Sequence, residues 1–186
     1  MGATPANPAM TAARKALATS AMSDAIWVPM ISAILILAAG ALSLASGRPW
    51  LFVALGPTAM LLASNPGHAT TRFHAVVLGH VTAFASAWIA LLLMGAGDGP
   101  TLLSTTGVTV ARVWASAFAV ALTAVVQPSL RAYHPPAAAT ALLVTLGVHR
   151  VTVKTSLAML GGVLVVAVLG EWFQRVRLRQ QLGTAA

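Results

Sequence analysis

The chain has 186 residues, of which 58% are hydrophobic and 8% are charged, and its mean hydropathy is +0.85. Soluble domains carry about 25% charged residues, so this composition predicts a membrane protein. The net charge of +8 does not indicate nucleic-acid binding, because the Lys and Arg residues are spread between apolar runs rather than gathered on one polar face. The chain has no cysteine, which excludes disulfides, thiol nucleophiles and cysteine-ligated metals.

The first half of the chain contains two long apolar runs with a short one between them. Residues 1–24 are small and polar and predict a flexible tail, whereas residues 25–46 are long enough to cross a bilayer. Residues 51–64 form the short run, which Gly56 and Pro57 interrupt. Residues 75–97 are again long enough to span the membrane.

The second half repeats this order, with a long run at 108–126, a short run at 136–148 and a long run at 156–173 before a basic tail at 175–186. We therefore predict an all-α, polytopic helical membrane protein with one transmembrane domain at 25–174. It should contain four long and two short Pro-led helices. If all six runs cross, the halves 25–97 and 108–174 each cross three times and are inverted relative to each other, as in many transporters.

The basic residues favour six crossings over four. With six crossings, one side of the membrane carries Arg14, Lys15, Arg72, Arg131, Arg175, Arg177 and Arg179, and the other carries Arg48, Arg112, Arg150 and Lys154. Treating the short runs as re-entrant moves Arg72, Arg131 and Arg112 to the opposite sides and nearly removes this bias. Cytoplasmic loops are enriched in Lys and Arg, so both termini are predicted to lie in the cytoplasm of a bacterial cell, with the domain in the inner membrane.

The turn before the second short run is a candidate binding site. Pro135 and Pro136 disfavour helix before them and favour it after them, so a short helix is predicted to begin at one of the two. A helix that begins at membrane depth has backbone N–H groups without partners. We expect these groups, with His134 and Arg131, to face a small anion or a proton; alternatively, His134 caps backbone groups in a structural turn. Thr140 would add a hydroxyl, although membrane threonines more often bond their own helix carbonyl.

The first half has a matching break at Gly56, Pro57 and Thr58, where glycine permits close approach and proline starts a helical turn. These residues are predicted to line the same site. Close helix packing is the alternative role for small residues. His80 lies early in the third run and is predicted to reach the site as well, with a buried, hydrogen-bonded histidine as the alternative.

The second short run opens with the residues His134-Pro135-Pro136-Ala137-Ala138-Ala139-Thr140-Ala141-Leu142-Leu143. This segment resembles the signature of the HPP family of small integral membrane proteins, with alanines where glycine is common. Two earlier segments, Leu55 to Leu62 and Gly79-His80, are similar to family segments, and the resemblance covers about residues 49–172. It implies Arg72 as a further site residue. It also implies transport, because plastid and cyanobacterial members are associated with nitrite.

We therefore interpret the chain as a membrane transporter or channel for a small inorganic anion, with nitrite as the substrate that the resemblance implies. The alternatives are a membrane ligand sensor or partner subunit without transport, and a membrane-embedded enzyme. An enzyme is disfavoured because no carboxylate lies near His134 in the sequence. No metal or cofactor is predicted, since the acids are scattered and the histidines lack ligand spacing. The expected partners are the anion and the lipid bilayer, and a homo-oligomer is compatible with the sequence.

Overall fold

The computed structural model describes residues 8–105, 107–148 and 152–183, with side chains from Asp24 onward. Arg150 and the side chains of Arg14 and Lys15, which entered the charge count, lie outside this part. The described chain is all-helical: α1 Pro8–Ser46, α2 Leu55–Ser64, a 3-10 turn Ala69–Thr71, α3 Phe73–Leu93, α4 Val110–Ser129, α5 Ala137–Thr145 and α6 Val153–Gly183. α1, α3, α4 and α6 contain segments long and apolar enough to cross a membrane. The predicted polytopic fold with four long and two short helices is confirmed.

Two long helices extend beyond the apolar runs that predicted them. α1 begins at Pro8, upstream of residue 25, and α6 continues to Gly183, past residue 173. Hydropathy marks the apolar part of a helix, whereas the extensions are rich in good helix formers, Ala in that of α1 and Leu, Arg and Gln in that of α6. The predicted tails at 1–24 and 175–186 are therefore helical in their described parts, while residues 1–7 and 184–186 lie outside the description.

The chain segment that contains α2 follows α6 from one end to the other. Successive neighbours along the two segments are Arg48 with Lys154, Trp50 with Gly161 and Gly162, Leu62 with Gly170, and Gly67 with Gln174. The α6 partners are about 20 residues apart at the extremes, which corresponds to about 30 Å of helix and matches the hydrocarbon core of a bilayer. The segment therefore runs along α6 in one direction rather than turning back. Its ten helical residues are sufficient because residues 50–54 before them are not helical and cover more length per residue.

The segment that contains α5 follows α3 in the same way. Neighbours along the two segments are Arg131 with His74, His134 with Gly79, Thr140 with His80, and Val144 with Leu91. These α3 partners cover about 26 Å of helix, so this segment also runs along most of its partner helix without turning back. Asp24, where the apolar part of α1 begins, forms an ion pair with Arg177 near the end of α6. This contact agrees with an even number of crossings.

α3 and α6 pack against each other at the centre of the bundle, and the short helices fill the spaces beside them. The main helix pairs are α1–α2, α1–α6, α2–α6, α3–α6, α3–α4, α3–α5 and α4–α5. The core is rich in fully buried alanines such as Ala83, Ala87 and Ala115. Small residues let membrane helices approach closely, and this packing replaces the hydrophobic driving force that lipid does not supply. The result brings the start of α2, the start of α5 and the middle of α3 together.

A buried histidine–threonine site between α2, α3 and α5

Four side chains from three helices meet in the core and form a hydrogen-bonded group, which we call the His–Thr cluster: Thr58, His80, His134 and Thr140. Thr58 Oγ1 lies 3.1 Å from His80 Nε2 and 3.2 Å from His134 Nε2. His80 Nδ1 lies 2.7 Å from Thr140 Oγ1, and His134 Nδ1 lies 2.8 Å from the carbonyl oxygen of Thr70. All four side chains are 0% exposed. The four predicted site residues are thus in one place, but closed off from solvent.

The backbone N–H groups at the start of α5 already have partners. The N–H groups of Ala137, Ala138 and Ala139 lie 3.0, 3.0 and 3.1 Å from the carbonyl oxygens of His134, Pro135 and Pro136. These i to i−3 bonds tighten the first turn and satisfy groups that would otherwise lack partners. The predicted open row of N–H donors is therefore absent from this first turn of α5. The donors available to a ligand at the cluster are side-chain hydroxyl and imidazole groups.

Gly79 and Gln127 hold the His-Pro-Pro turn against α3. A Cβ atom at Gly79 would lie 2.7 Å from the Cβ of His134, so only glycine allows this approach. The Gln127 side chain, 2% exposed, accepts a hydrogen bond from His134 N–H at 3.0 Å and donates one to the Gly79 carbonyl at 3.1 Å. One side chain of α4 therefore ties the turn to α3.

The glycine and proline residues at the two breaks lie outside the cluster. Gly56, Pro57, Pro135 and Pro136 line an open, mainly apolar groove of about 670 Å³ between α2 and α5. Thr70 lines the same groove, and its carbonyl bonds His134. The groove therefore lies next to the cluster, because Pro57 and Pro135 are the chain neighbours of Thr58 and His134. The close approach predicted at Gly56 is not seen, since a Cβ there would meet nothing within 4 Å.

The two arginines predicted for the site lie elsewhere. Arg131 is exposed, adopts φ 51°, and its carbonyl bonds His74 at 3.2 Å. Arg72 is also exposed and lines a separate cavity of about 390 Å³ with Glu171 and Arg175. Both arginines precede or follow a crossing, where long cationic side chains reach the polar interface. The structure thus brings neither charge to the His–Thr cluster.

A family model described as the HPP transmembrane region matches residues 17–182 of the chain. The chain belongs to the HPP family. The resemblance seen in the His-Pro-Pro turn is therefore confirmed, and the HPP protein is a multi-pass membrane protein. Searches of curated proteins and of solved structures found no match.

Two buried polar residues of this HPP protein escaped prediction from the sequence. Gln127 sits in an apolar run directly before Pro128, and a polar residue at that place was the available signal. Arg112 was counted only as a charge near the membrane surface, yet it is 3% exposed. Its guanidinium donates to the carbonyls of Gly97, Gly99, Pro100 and Thr145 at 2.6 to 3.3 Å. It also lines a cavity of about 400 Å³ at the far end of α5 from the His-Pro-Pro turn.

The chemistry of the HPP cluster is that of neutral donors and acceptors. Hydroxyl and imidazole groups can bind a proton or donate hydrogen bonds to an anion. In the described part of the chain, no carboxylate lies within ion-pair distance of His80 or His134, because the ion pairs recorded involve Arg175 and Arg177. A positive charge at the cluster would therefore be balanced by a ligand rather than by a protein acid.

Proposed function

We propose that this HPP protein moves a small inorganic anion across the membrane through the His–Thr cluster, without changing the anion chemically. The observation that carries the proposal is the meeting of two interrupted crossings at a polar group that is 0% exposed. Polar side chains at membrane depth are costly, and in membrane proteins they commonly mark substrate or ion pathways. Interrupted helices that meet near the membrane centre are also the usual location of transporter sites.

An anion suits the cluster better than a metal cation. Thr58 and Thr140 offer hydroxyl donors, and the two imidazoles offer N–H donors. Cation sites in membranes commonly use carboxylates, and the acids of this chain lie away from the cluster: Asp24 pairs with Arg177, Glu171 pairs with Arg175, and Asp98 lies in a turn. Selectivity for anions follows from an excess of donors over negatively charged acceptors. His134, Thr58, His80 and Thr140 would contact the anion, and Gly56, Pro57, Pro135 and Pro136 would line its approach.

If the two halves are related, their relative motion would open the site first to one side of the membrane and then to the other, which is the alternating-access mechanism of transport. Exchanging α1, α2 and α3 with α4, α5 and α6 leaves the set of seven main helix pairs unchanged. Three crossings in each half would make the halves inverted relative to each other. In such a protein, the closed cluster opens to one side when one half rocks against the other. The groove beside Thr70 and the cavity beside Arg112 lie at opposite ends of this path.

Nitrite is the substrate that we propose first, because HPP members of plastids and cyanobacteria are associated with nitrite transport. The test is anion uptake by purified protein in liposomes with nitrite, nitrate, formate and chloride, beside protein-free liposomes. We expect protein-dependent uptake of at least one of these anions, with nitrite the fastest. Saturable binding without uptake would instead support the alternative function, a membrane sensor or partner subunit. Neither binding nor uptake of any of the four would contradict an anion site.

We also propose that both termini lie in the cytoplasm of a bacterial cell. The described residues near the end of α6 and the start of α3 include Arg72, Arg131, Arg175 and Arg179, and the positive-inside rule assigns that side to the cytoplasm.

Thiol labelling tests this orientation without a background signal, since the chain has no cysteine. Lys154 and Arg179 are exposed at opposite ends of α6. A membrane-impermeant maleimide should label Lys154→Cys in intact cells and should label Arg179→Cys only after the membrane is opened. The reverse pattern would invert the orientation. Labelling of both variants in intact cells would contradict a crossing by α6.

A further inference from the structure

The Thr58 hydroxyl has three hydrogen-bond neighbours and one hydrogen to donate. Its Oγ1 is 2.9 Å from the Ala54 carbonyl oxygen, 3.1 Å from His80 Nε2 and 3.2 Å from His134 Nε2. A carbonyl can only accept a hydrogen bond, whereas each nitrogen of a neutral imidazole either donates or accepts. Buried donors are almost always bonded, so the proton positions follow from giving each donor an acceptor.

When both histidines are neutral, the Thr70 carbonyl fixes the arrangement. It accepts from His134 Nδ1–H at 2.8 Å, which leaves His134 Nε2 without a hydrogen. The Thr58 hydroxyl then donates to His134 Nε2, and its oxygen accepts from His80 Nε2–H. His80 Nδ1 in turn accepts from the Thr140 hydroxyl at 2.7 Å. The two rings are therefore opposite tautomers in one continuous chain of hydrogen bonds.

The His–Thr cluster can take up one proton if the Thr58 hydroxyl rotates. When His134 Nε2 gains a hydrogen, the imidazolium donates to the Thr70 carbonyl through Nδ1 and to Thr58 Oγ1 through Nε2. The Thr58 O–H turns to the Ala54 carbonyl, while its two lone pairs accept from both rings. Each donor again has an acceptor. A second proton on His80 would place two cations in a buried site with ring centroids 5.3 Å apart, where like charges repel strongly.

We propose that this HPP protein is proton-coupled, with one proton bound at His134 Nε2 for each anion and the Thr58 hydroxyl as the switch between the two states. This inference rests on the proposed function. A proton from water forms the new N–H bond, and the same bond releases it to water on the other side of the membrane. The resulting imidazolium supplies the positive charge that a buried anion needs, and the pair crosses with no net charge.

Among the residues that the structure describes, none against His134 carries a negative charge that would replace the anion. The groups placed against it are Thr58 of α2, the Thr70 carbonyl, Gly79 and His80 of α3, and Gln127 of α4. Among these, His80 alone titrates. Phe52 covers the other side of His80, with ring centroids 6.1 Å apart. Proton uptake by the cluster therefore creates a charge whose partner must come from outside the protein.

Two threonine variants test the switch in the full-length protein. Thr58→Ser keeps the hydroxyl, and Thr58→Val keeps the shape but removes the hydroxyl. Nuclear magnetic resonance of ¹⁵N-histidine protein in lipid nanodiscs should show His80 as the Nε2–H tautomer and His134 as the Nδ1–H tautomer at high pH, with one proton added to the pair on acidification. Hydrogen bonds to charged groups are about twice as strong as neutral ones, so Thr58→Val should lower the proton affinity of His134 about tenfold. Thr58→Ser should not.

Coupling is measured in liposomes that contain an internal pH dye. Nitrate is the first probe, because nitrous acid crosses lipid by itself and carries protons without a protein; nitrite is compared with protein-free liposomes. We expect equal initial rates of proton and anion entry, and at least a tenfold slower proton entry per anion with Thr58→Val. Thr58→Ser keeps the hydroxyl, so its ratio of proton to anion entry should stay near one.

The outcomes separate the two proposals. Anion uptake without proton movement would overturn the coupling and leave the proposed function intact. A His134 Nε2–H tautomer at high pH, or an unchanged proton affinity in a folded Thr58→Val protein, would overturn the switch. Absence of anion uptake would overturn the proposed function and the coupling with it, even when the spectra show the expected proton on His134.

Discussion

Replacing His134 with alanine is expected to reduce anion uptake to the level of protein-free liposomes. The imidazole is 0% exposed and bonds both Thr58 and the Thr70 carbonyl, so its removal takes away the proposed charge and leaves two buried groups with one partner fewer. His134→Gln keeps an N–H donor of similar size but does not titrate between about pH 5 and 8. It should retain a fold close to the parent and show uptake that is weak and independent of pH.

The exposed His74 supplies the matched control. His74→Gln can still donate to the Arg131 carbonyl and should transport like the parent chain. Monodispersity and thermal stability of each variant separate a lost site from a lost fold. If His134→Gln and His134→Ala both transport like the parent from about pH 5 to 8, the His-Pro-Pro turn is a structural cap and the site lies elsewhere.

Replacing Gly162 with alanine is expected to prevent stable folding. A Cβ at this position of α6 would overlap the carbonyl oxygen of Trp50 and lie 2.8 Å from its carbonyl carbon. Backbone atoms cannot rotate away as the end of a side chain does, so the crossing segment before α2 would have to shift. Overpacking costs about 1–3 kcal/mol and at times more. Because the contact is with backbone, we expect this variant to lose stability at or above the upper end of that range. The measurement would show a large fall in melting temperature or a loss of monodisperse protein.

Gly56 provides the comparison within α2. A Cβ there meets nothing within 4 Å, so Gly56→Ala should leave the melting temperature unchanged or raise it, because alanine favours helix by about 1 kcal/mol over glycine. Equal stability of Gly162→Ala and Gly56→Ala would contradict the close contact between Trp50 and α6.

The sequence predicts the helical fold well because apolar run length and proline position act locally. It also predicts His134, His80, Thr58 and Thr140 one by one, from breaks in apolar runs and from the HPP resemblance. Their hydrogen bonds to one another join residues that are distant in the chain, such as Thr58 and His134, and no local pattern encodes such a pairing. For the same reason the tie made by Gln127 was missed.

Charge was the least reliable guide to the site. Arg131 and Arg72 lie close in sequence to predicted site residues, but both are exposed. Arg112, which resembled a surface charge, is buried because four loop and helix carbonyls meet its guanidinium. Every residue has a backbone carbonyl, so the composition of a loop does not reveal which carbonyls will bind a cation. Their arrangement around Arg112 is known only from the three-dimensional structure.

The close contact between Trp50 and α6 also bears on biogenesis. The non-helical residues 50–54 and the short α2 pack against α1 and α6, and α6 is synthesised after α1 to α5. Non-helical backbone at membrane depth is tolerated only where protein covers it, so this segment cannot settle into place while α6 is missing. The insertion machinery can handle α1 and α3 as ordinary spans, but the segment that contains α2 reaches its final place only after α6 has been made. In this chain the order of synthesis and the order of assembly therefore differ.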